Sequence, residues 1–369
     1  MTTTINNKHK KLNVPNLRFK EFQGEWSVTS LQKDCIVNPT NEKIADKFVY
    51  VDLESVKQGQ LYKYQILTKE NAPSRAQRVL HTDDILFQCV RPYQMNNYMV
   101  KETMSDIQWV ASTGYAQIRT QTDYPAFLYY VLNTSKYNKA VMVRCTGSSY
   151  PAINSEDLSK IPFYKCGIAE QKKIADFLSL LDERIATPNK IIDKLQSLIK
   201  GIADKLFQTA RTTKPLLEFA PNITSGTDKS GSGTIPLYGS TGIIGTVKNA
   251  SQKGNIVLVA RVGTIGTVQY VNEPCGVSDN ALIVEAGEMT KYIYHFLKTY
   301  NFTRITSGTT QPLITASSLK KAAIPTYDIE SQTRIVLCLN GLEKKLDMAK
   351  QYLSDIAVMK RYLLRQMFI

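Results

Sequence analysis

TGSSYPAI, at residues 146–153, returns as SGTTQPLI at residues 307–314, 161 positions further on. The same offset carries Gln171 to Gln332, Ile174 to Ile335, Leu178 to Leu339, Leu181 to Leu342 and Phe207 to Phe368. A local shift of two separates Ile161-Pro162 from Ile324-Pro325. Upstream the echo is looser: Leu128-Tyr129 answers Ile293-Tyr294 at 165, Ser112 answers Ser278 at 166, and Asp84-Ile85-Leu86 answers Asn255-Ile256-Val257 at 171. One short match can arise by chance, but a shared order of matches does not. The 369 residues are too many for one typical domain. They read as one unit written twice, each copy a variable module followed by a nearly gap-free segment. The segments are 1–165, a first globular module; 166–210, a central helical region; 211–328, a second module; and 329–369, a distal helical region.

The gap-free segments carry a heptad seam. In the first, Ile174, Leu178, Leu181, Ile185, Ile192, Leu195, Ile199, Ile202 and Leu206 recur with steps of four and three, with Pro188 in the same series. In the second, the series is Ile335, Leu339, Leu342, Leu346, Leu353, Ile356, Leu363 and Met367, with Ala349 and Lys360 filling the remaining places. A mean spacing of about 3.5 is the coiled-coil repeat. Two helices of about 50 Å, at ~1.5 Å per residue, are expected to pack on each other. Pro188 deletes a helical hydrogen bond and crowds the preceding turn. The expectation is therefore a kink or break, with Thr187 as N-cap and Pro188 opening a new helix, and none at Ala349.

The modules read as α+β. Residues 48–56, 85–90, 256–260 and 281–285 have strand character, 239–247 and 261–268 are glycine-rich turns, and 125–137 and 289–302 are aromatic-rich helices. The chain carries 46 basic against 32 acidic side chains, a net charge of +14, which favours a polyanionic partner. The surplus is +6 in residues 1–165 and +4 in 211–328, against +1 in 166–210 and +3 in 329–369, so most of it lies in the modules. Base edges are read chiefly by Arg, Lys, Asn and Gln. Candidates for DNA contact in the first module are Arg91, Tyr93, Gln94, Asn96, Asn97 and Lys101; in the second they are Lys248, Asn249, Gln252, Lys253 and Arg261. The repeated glycine loops add Ser148, Ser149, Thr309 and Thr310, whose backbone N–H groups suit phosphate. Solvated loops and plain turns are the competing readings.

Other chemistry finds no support. His9, His81 and His295 lie far apart, and the six cysteines form no C-x-x-C pair, which argues against a metal site and for reduced, buried thiols. The opening MTTTINNKHKK has no apolar stretch behind its basic residues, and no apolar run approaches the ~20 residues of a membrane span, so a cytoplasmic protein is expected. There is no G-x-x-x-x-G-K-[ST] loop for ATP, and no glycine fingerprint for a methyl-donor cofactor follows a strand. Asn38-Pro39-Thr40 lacks the second proline and aromatic of an amino-methyltransferase motif. Glu343-Lys344-Lys345 resembles half of a nuclease motif but falls within the heptad helix, as surface charge would. No catalytic residue and no cofactor is assigned.

LRFKEFQGEW near the start, DILF, IPLYGSTGIIG and VSDNALIV in the modules, and EQKKIADFLSLLDERI with its weaker copy SQTRIVLCLNGLEKKLD together resemble the specificity subunits of type I restriction–modification systems. The resemblance covers essentially the whole chain and lies in the ordered set rather than in any one motif. It implies two target-recognition domains joined by two long antiparallel helices that form a coiled-coil spacer, related by a pseudo-two-fold axis. It implies that each domain reads one half of a bipartite target in double-stranded DNA. It also implies that the helical regions dock two methyltransferase subunits, with motor-nuclease subunits joining for restriction. A stand-alone coiled-coil DNA-binding or scaffold protein is the alternative.

Overall fold

The computed structural model describes residues 13–40, 42–57, 59–101, 107–308 and 312–369. It divides into two compact units, Met1–Thr187 with Leu353–Ile369, and Pro188–Tyr352. Each long helix thus gives its first part to one unit and its last part to the other.

The module of the first unit holds two four-stranded sheets. One has the order Gln65–Thr68, Lys47–Val51, Gln108–Ser112, Ala76–Leu80; the other has the order Cys35–Val37, Tyr115–Thr120, Ile85–Gln88, Tyr98–Met99. Lys47–Val51 and Gln108–Ser112 run parallel. All four residues of Ile85–Gln88 are buried, which explains a run without polar alternation. The aromatic segment expected as one helix is two, Pro125–Leu132 and Ser135–Met142. Thr134 breaks it because its hydroxyl accepts from the Tyr137 N–H (3.2 Å) and caps the second helix.

The module of the second unit has a four-stranded sheet, Thr224–Ser225, Ala281–Val284, Ile256–Ala260, Val268–Val271. Beside it is a three-stranded sheet, Gly242–Val247, Ile235–Gly239, Gly276–Val277, whose last two strands are parallel. The helix Thr290–Thr299 stops short of the expected Phe302, which is buried in a separate turn, Phe302–Arg304.

The duplication extends to individual bonds. Thr146 bridges Ala152, and Ser307 pairs with Leu313, the same register 161 residues on. Gly147 and Gly308 both take the left-handed backbone, φ 88° and 89°, which disfavours a side chain at either place. Asn154 caps Ser155–Ser159 by accepting from Asp157 N–H, and Thr315 caps Ala316–Lys320 by accepting from Ser318 N–H. Pro162–Lys165 pairs with Ser27–Ser30, and Ala323–Thr326 with Thr212–Pro215. Those strands keep the offset of 161, so the shift of two inferred at Ile161-Pro162 is not real. Ile161 corresponds to Ala322, both buried, and the second Ile-Pro is a coincidence two residues along. Gln171 Nε2 then donates to the Cys166 carbonyl (2.9 Å), as Gln332 Nε2 donates to that of Tyr327 (2.8 Å).

The long helices are Ile168–Gln208 and Ile329–Gln366, each unbroken. The break expected at Pro188 does not occur. Thr187 does not cap; its hydroxyl donates to the Glu183 carbonyl one turn back (3.2 Å). The carbonyl that loses its N–H partner belongs to Arg184, an exposed residue whose carbonyl can turn to water, while the proline ring is buried at its seam position. All the apolar seam residues named above are buried or half-buried.

Within each unit the two helix segments run antiparallel. In the first, Lys360 pairs with Asp182, while Leu363 and Met367 join Ile174, Ala175, Leu178 and Leu181 in one core. Leu17 N–H donates to the Gln366 carbonyl (2.9 Å), and Arg18 grips the buried Glu170 through two bonds of 2.7 and 2.8 Å. In the second unit, Ala203 and Phe207 share a core with Ile335 and Leu339, and Tyr327 hydroxyl bonds the Leu206 carbonyl. Phe207 packs on Tyr292 and Phe296 (5.6 and 5.4 Å between ring centres), as Phe368 packs on Phe127 and Trp26 (5.5 and 6.2 Å).

Among the described residues no helix is long and apolar enough to cross a membrane, and no group of three or more His, Cys, Asp or Glu could hold a metal. The six cysteines are free; Cys338, expected to be buried, is exposed.

Candidate nucleic-acid interface

The central strands, Ile85–Gln88 and Ile256–Ala260, end in equivalent places. Cys89 N–H donates to the Gly114 carbonyl and Arg261 N–H to that of Asn280; Ile153 N–H donates to the Cys89 carbonyl and Ile314 N–H to that of Arg261; all four bonds are 3.0 Å. The repeated glycine loop is therefore fastened beside the end of the central strand in both modules, and in the first module this end collects the polar loops.

In the first module the organiser of that end is Gln88, which is buried. Its Nε2 donates to the Val90 carbonyl (2.8 Å) and to Gln94 Oε1 (2.9 Å), and its Oε1 accepts from Asn96 N–H (3.2 Å). Its own N–H donates to Asn97 Oδ1 (2.8 Å), and Asn97 Nδ2 donates to Asn133 Oδ1 (3.2 Å). Asn97 is thus turned inward, 1% exposed, and holds the loop. Arg91 and Met95, on either side of the turn Pro92–Gln94, both take left-handed backbone, φ 54° and 53°. Strain of that kind persists only where surroundings enforce it, and it gathers at functional sites. Arg91 N–H donates to the Pro151 carbonyl (2.7 Å), and its guanidinium lies 5.2 Å from the Tyr150 ring centre, a cation–π contact. Tyr93, Gln94, Ser148 and Ser149 are exposed, and Asn96 is half-buried.

The structure brings Arg91, Gln94, Asn96, Ser148 and Ser149 to one end of the module, but not Lys101. Val100 N–H donates to the Asp84 carbonyl (2.9 Å), which places Lys101 at the opposite end of Ile85–Gln88. The second module divides likewise. Lys248, Asn249 and Lys253 are exposed and Gln252 is half-buried, but all four precede the strand Ile256–Ala260 that Arg261 follows. About 17 Å of strand, at ~3.3 Å per residue, separates them from Arg261. Thr309 and Thr310 lie outside the described residues. Near Arg261 stands a hairpin tip instead: Ser240 Oγ donates to the Val262 carbonyl (3.0 Å), and Ile243 and Ile244 project into solvent.

Two motifs weighed for catalysis are structural. Asn38 Oδ1 accepts from Gln117 N–H (3.0 Å) and closes a turn at φ 53°. Glu343, read as surface charge, pairs with Lys298 and ties the second long helix to its module.

The model of the type I restriction modification DNA specificity domain matches this chain twice, over residues 37–197 and 213–357. The chain belongs to that family and is a specificity subunit, the non-catalytic component of a type I restriction–modification system. No curated protein matches it. Among solved structures, the type I S subunit from M. genitalium is 18% identical with a TM-score of 0.69, over 96% of this chain and 99% of that one. A chain from a study of complex assembly and conformational transition of the type I system is 19% identical with a TM-score of 0.54, over 92% and 96%. At those identities the likeness is one of fold.

Proposed function

We propose that this chain reads a bipartite sequence in double-stranded DNA, one part per module, and carries two methyltransferase subunits and the motor-nuclease subunits that act there. The observation that carries the reading is the repetition of one module end: a glycine loop fastened to the end of a central strand, present twice in a chain of net charge +14, with polar side chains gathered round it in the first module and Arg261 beside it in the second. The segments 1–165 and 211–328 are the recognition modules, and 166–210 and 329–369 the regions that hold partners. In support of docking, the long helices expose apolar side chains away from the seam, among them Leu180, Leu198, Leu337, Met348, Val358 and Tyr362. Solvent-facing apolar side chains in such number favour a subunit over a free-standing scaffold. A genomic target also puts the working protein in the cytoplasm.

The test is an exchange of residues 1–165 for the corresponding module of another specificity subunit, in the complex with its methyltransferase, with methylated adenines mapped across host DNA. One part of the methylated motif should change and the other persist; a change in both or in neither overturns modular reading. Affinity for DNA should fall linearly in log–log form with salt, and binding indifferent to salt would favour the scaffold reading.

A further inference from the structure

Five arginines are half-buried: Arg18, Arg78, Arg91, Arg119 and Arg261. Three have partners. Arg18 holds Glu170 through two bonds, Arg119 holds the buried Asp84 through bonds of 2.8 and 2.9 Å, and Arg91 lies over Tyr150. Arg78 and Arg261 do not. In each the Nε is cut off from solvent without a hydrogen-bond partner, and neither guanidinium has an ion pair among the described residues. A donor stripped of water and left unpaired is costly, and an uncompensated half-buried charge more so. Burial pulls Arg78 below the ordinary arginine range, and the one opposing influence is the thiol of Cys89.

The two occupy corresponding surroundings by different routes. Arg261 stands at the position of Cys89, as the four matching backbone bonds establish; that offset of 172, which the strand pairings share, corrects the 171 read from Asp84-Ile85-Leu86. Arg78 comes from the strand Ala76–Leu80 of the module's other sheet, opposite Ala111. Just ahead of that strand the Arg75 carbonyl accepts from Thr113 N–H (2.8 Å), next to the Gly114 whose carbonyl takes the Cys89 N–H (3.0 Å), and the Arg78 guanidinium works against the burial that raises the Cys89 thiol. Each module thus sets one cation without an ion pair among the described residues near the strand end to which its glycine loop is fastened. Sequence comparison does not align them, since residue 78 and residue 261 lie on different strands.

We propose that Arg78 and Arg261 are the equivalent DNA-contacting arginines of the two modules, each donating to a paired acceptor on the duplex. The inference rests on the DNA-reading function proposed above. Two acceptors fit a planar fork, the O6/N7 edge of guanine and the two free oxygens of a phosphate. Packing of the stem fixes the fork before DNA arrives, and the acceptor supplies the counter-charge that none of the described residues gives.

The test uses the full chain in complex with its methyltransferase subunits, bound to duplex oligonucleotides carrying the motif mapped from host methylation. Arg78→Ala and Arg261→Ala should each weaken binding on the order of 10–100-fold. With a guanine contact, Arg78→Ala relaxes the motif in one part only and Arg261→Ala in the other only. With a phosphate contact the motif is unchanged, and the log–log salt slope becomes shallower by about 0.9 per arginine. Arg78→Lys and Arg261→Lys keep stem and charge but lose the fork. They should still lose about tenfold on the guanine arm and retain most affinity on the phosphate arm, and so separate the two acceptors. Wild-type affinity, motif and salt slope in both folded alanine variants, or in Arg78→Gln and Arg261→Gln where alanine does not fold, overturns the assignment while leaving DNA reading intact. Absence of binding by the wild-type complex overturns the function itself.

Discussion

Tyr130, Ser179 and Asp182 in the first unit stand where His295, Asn340 and Glu343 stand in the second. Tyr130 hydroxyl bonds Asp182 Oδ2 (2.6 Å) and lies 3.3 Å from Ser179 Oγ; His295 Nε2 donates to Asn340 Oδ1 (2.9 Å), with Glu343 3.9 Å from Nδ1. Each cluster joins a module helix to a long helix, and each is completed by a lysine. In the first unit it is Lys360, from the second long helix and also over the Tyr130 ring (5.5 Å); in the second it is Lys298, from the module's own helix. Lys360, which interrupts the apolar seam, is thereby explained: it answers Asp182, while the corresponding position on the other helix keeps the apolar Ile199. The pair of clusters teaches that duplication preserved the place and its need for balanced charge, and left the groups that meet the need free to change.

The aromatic anchors should give the largest effects. Phe207→Ala should cost about 3–4 kcal/mol, and the less buried Phe368→Ala about 2–3 kcal/mol. Hydrogen exchange should rise in residues 290–299 for the first and 125–132 for the second. Loosening of both regions by either variant would deny that the units are separate copies of one assembly.

Next comes the charge cluster. Asp182→Ala strands a half-buried Lys360 and the Tyr130 hydroxyl, and should cost about 2–3 kcal/mol in chemical denaturation. Adding Lys360→Ile, which copies the other helix, should recover most of it. No recovery would mean that the carboxylate serves Tyr130 rather than the lysine.

The smallest effect is on pH. Burial holds His295 below the ordinary histidine value of 6.5, with the bond to Asn340 acting against it. The unfolded chain therefore takes up a proton that folded His295 resists. The resulting stabilisation is complete above pH 6.5 and declines as pH falls toward the depressed folded value. Burial raises Tyr130 above 10.0, so its contribution is complete below pH 10 and declines above it. Protection factors, which remove the pH dependence of amide exchange itself, should fall from pH 7.5 to 5.5 around residues 290–299 and not around 125–132, and His295→Tyr should abolish the difference.

How much of this was legible beforehand varies along the chain. The helix-side half of each copy was readable because caps, short strands and seam there keep one offset of 161, and packing on both faces forbids insertions. One detail misled: the Ile-Pro match is identity without equivalence, and only the strand pairing exposes it. Pro188 misled differently, because local preference favours a break while burial in the seam keeps the helix whole. The loop ends were the least readable. Asn97 looked like a reader and is a brace, Lys101 and Lys253 looked like neighbours of Arg91 and Arg261 and lie a strand's length away, and Gln88 gave no signal beyond being a polar residue in an apolar run.

By itself the sequence determined that the chain is a duplicated module-and-helix unit of the restriction–modification specificity family, because heptad spacing and ordered repeats are properties of position along the chain. Tertiary structure alone decided which polar groups are spent inside and which cations remain without a counter-charge. Pairing is set by what lies nearby in space, and Arg78 reaches the surroundings of Cys89 only once the module's two sheets pack on each other.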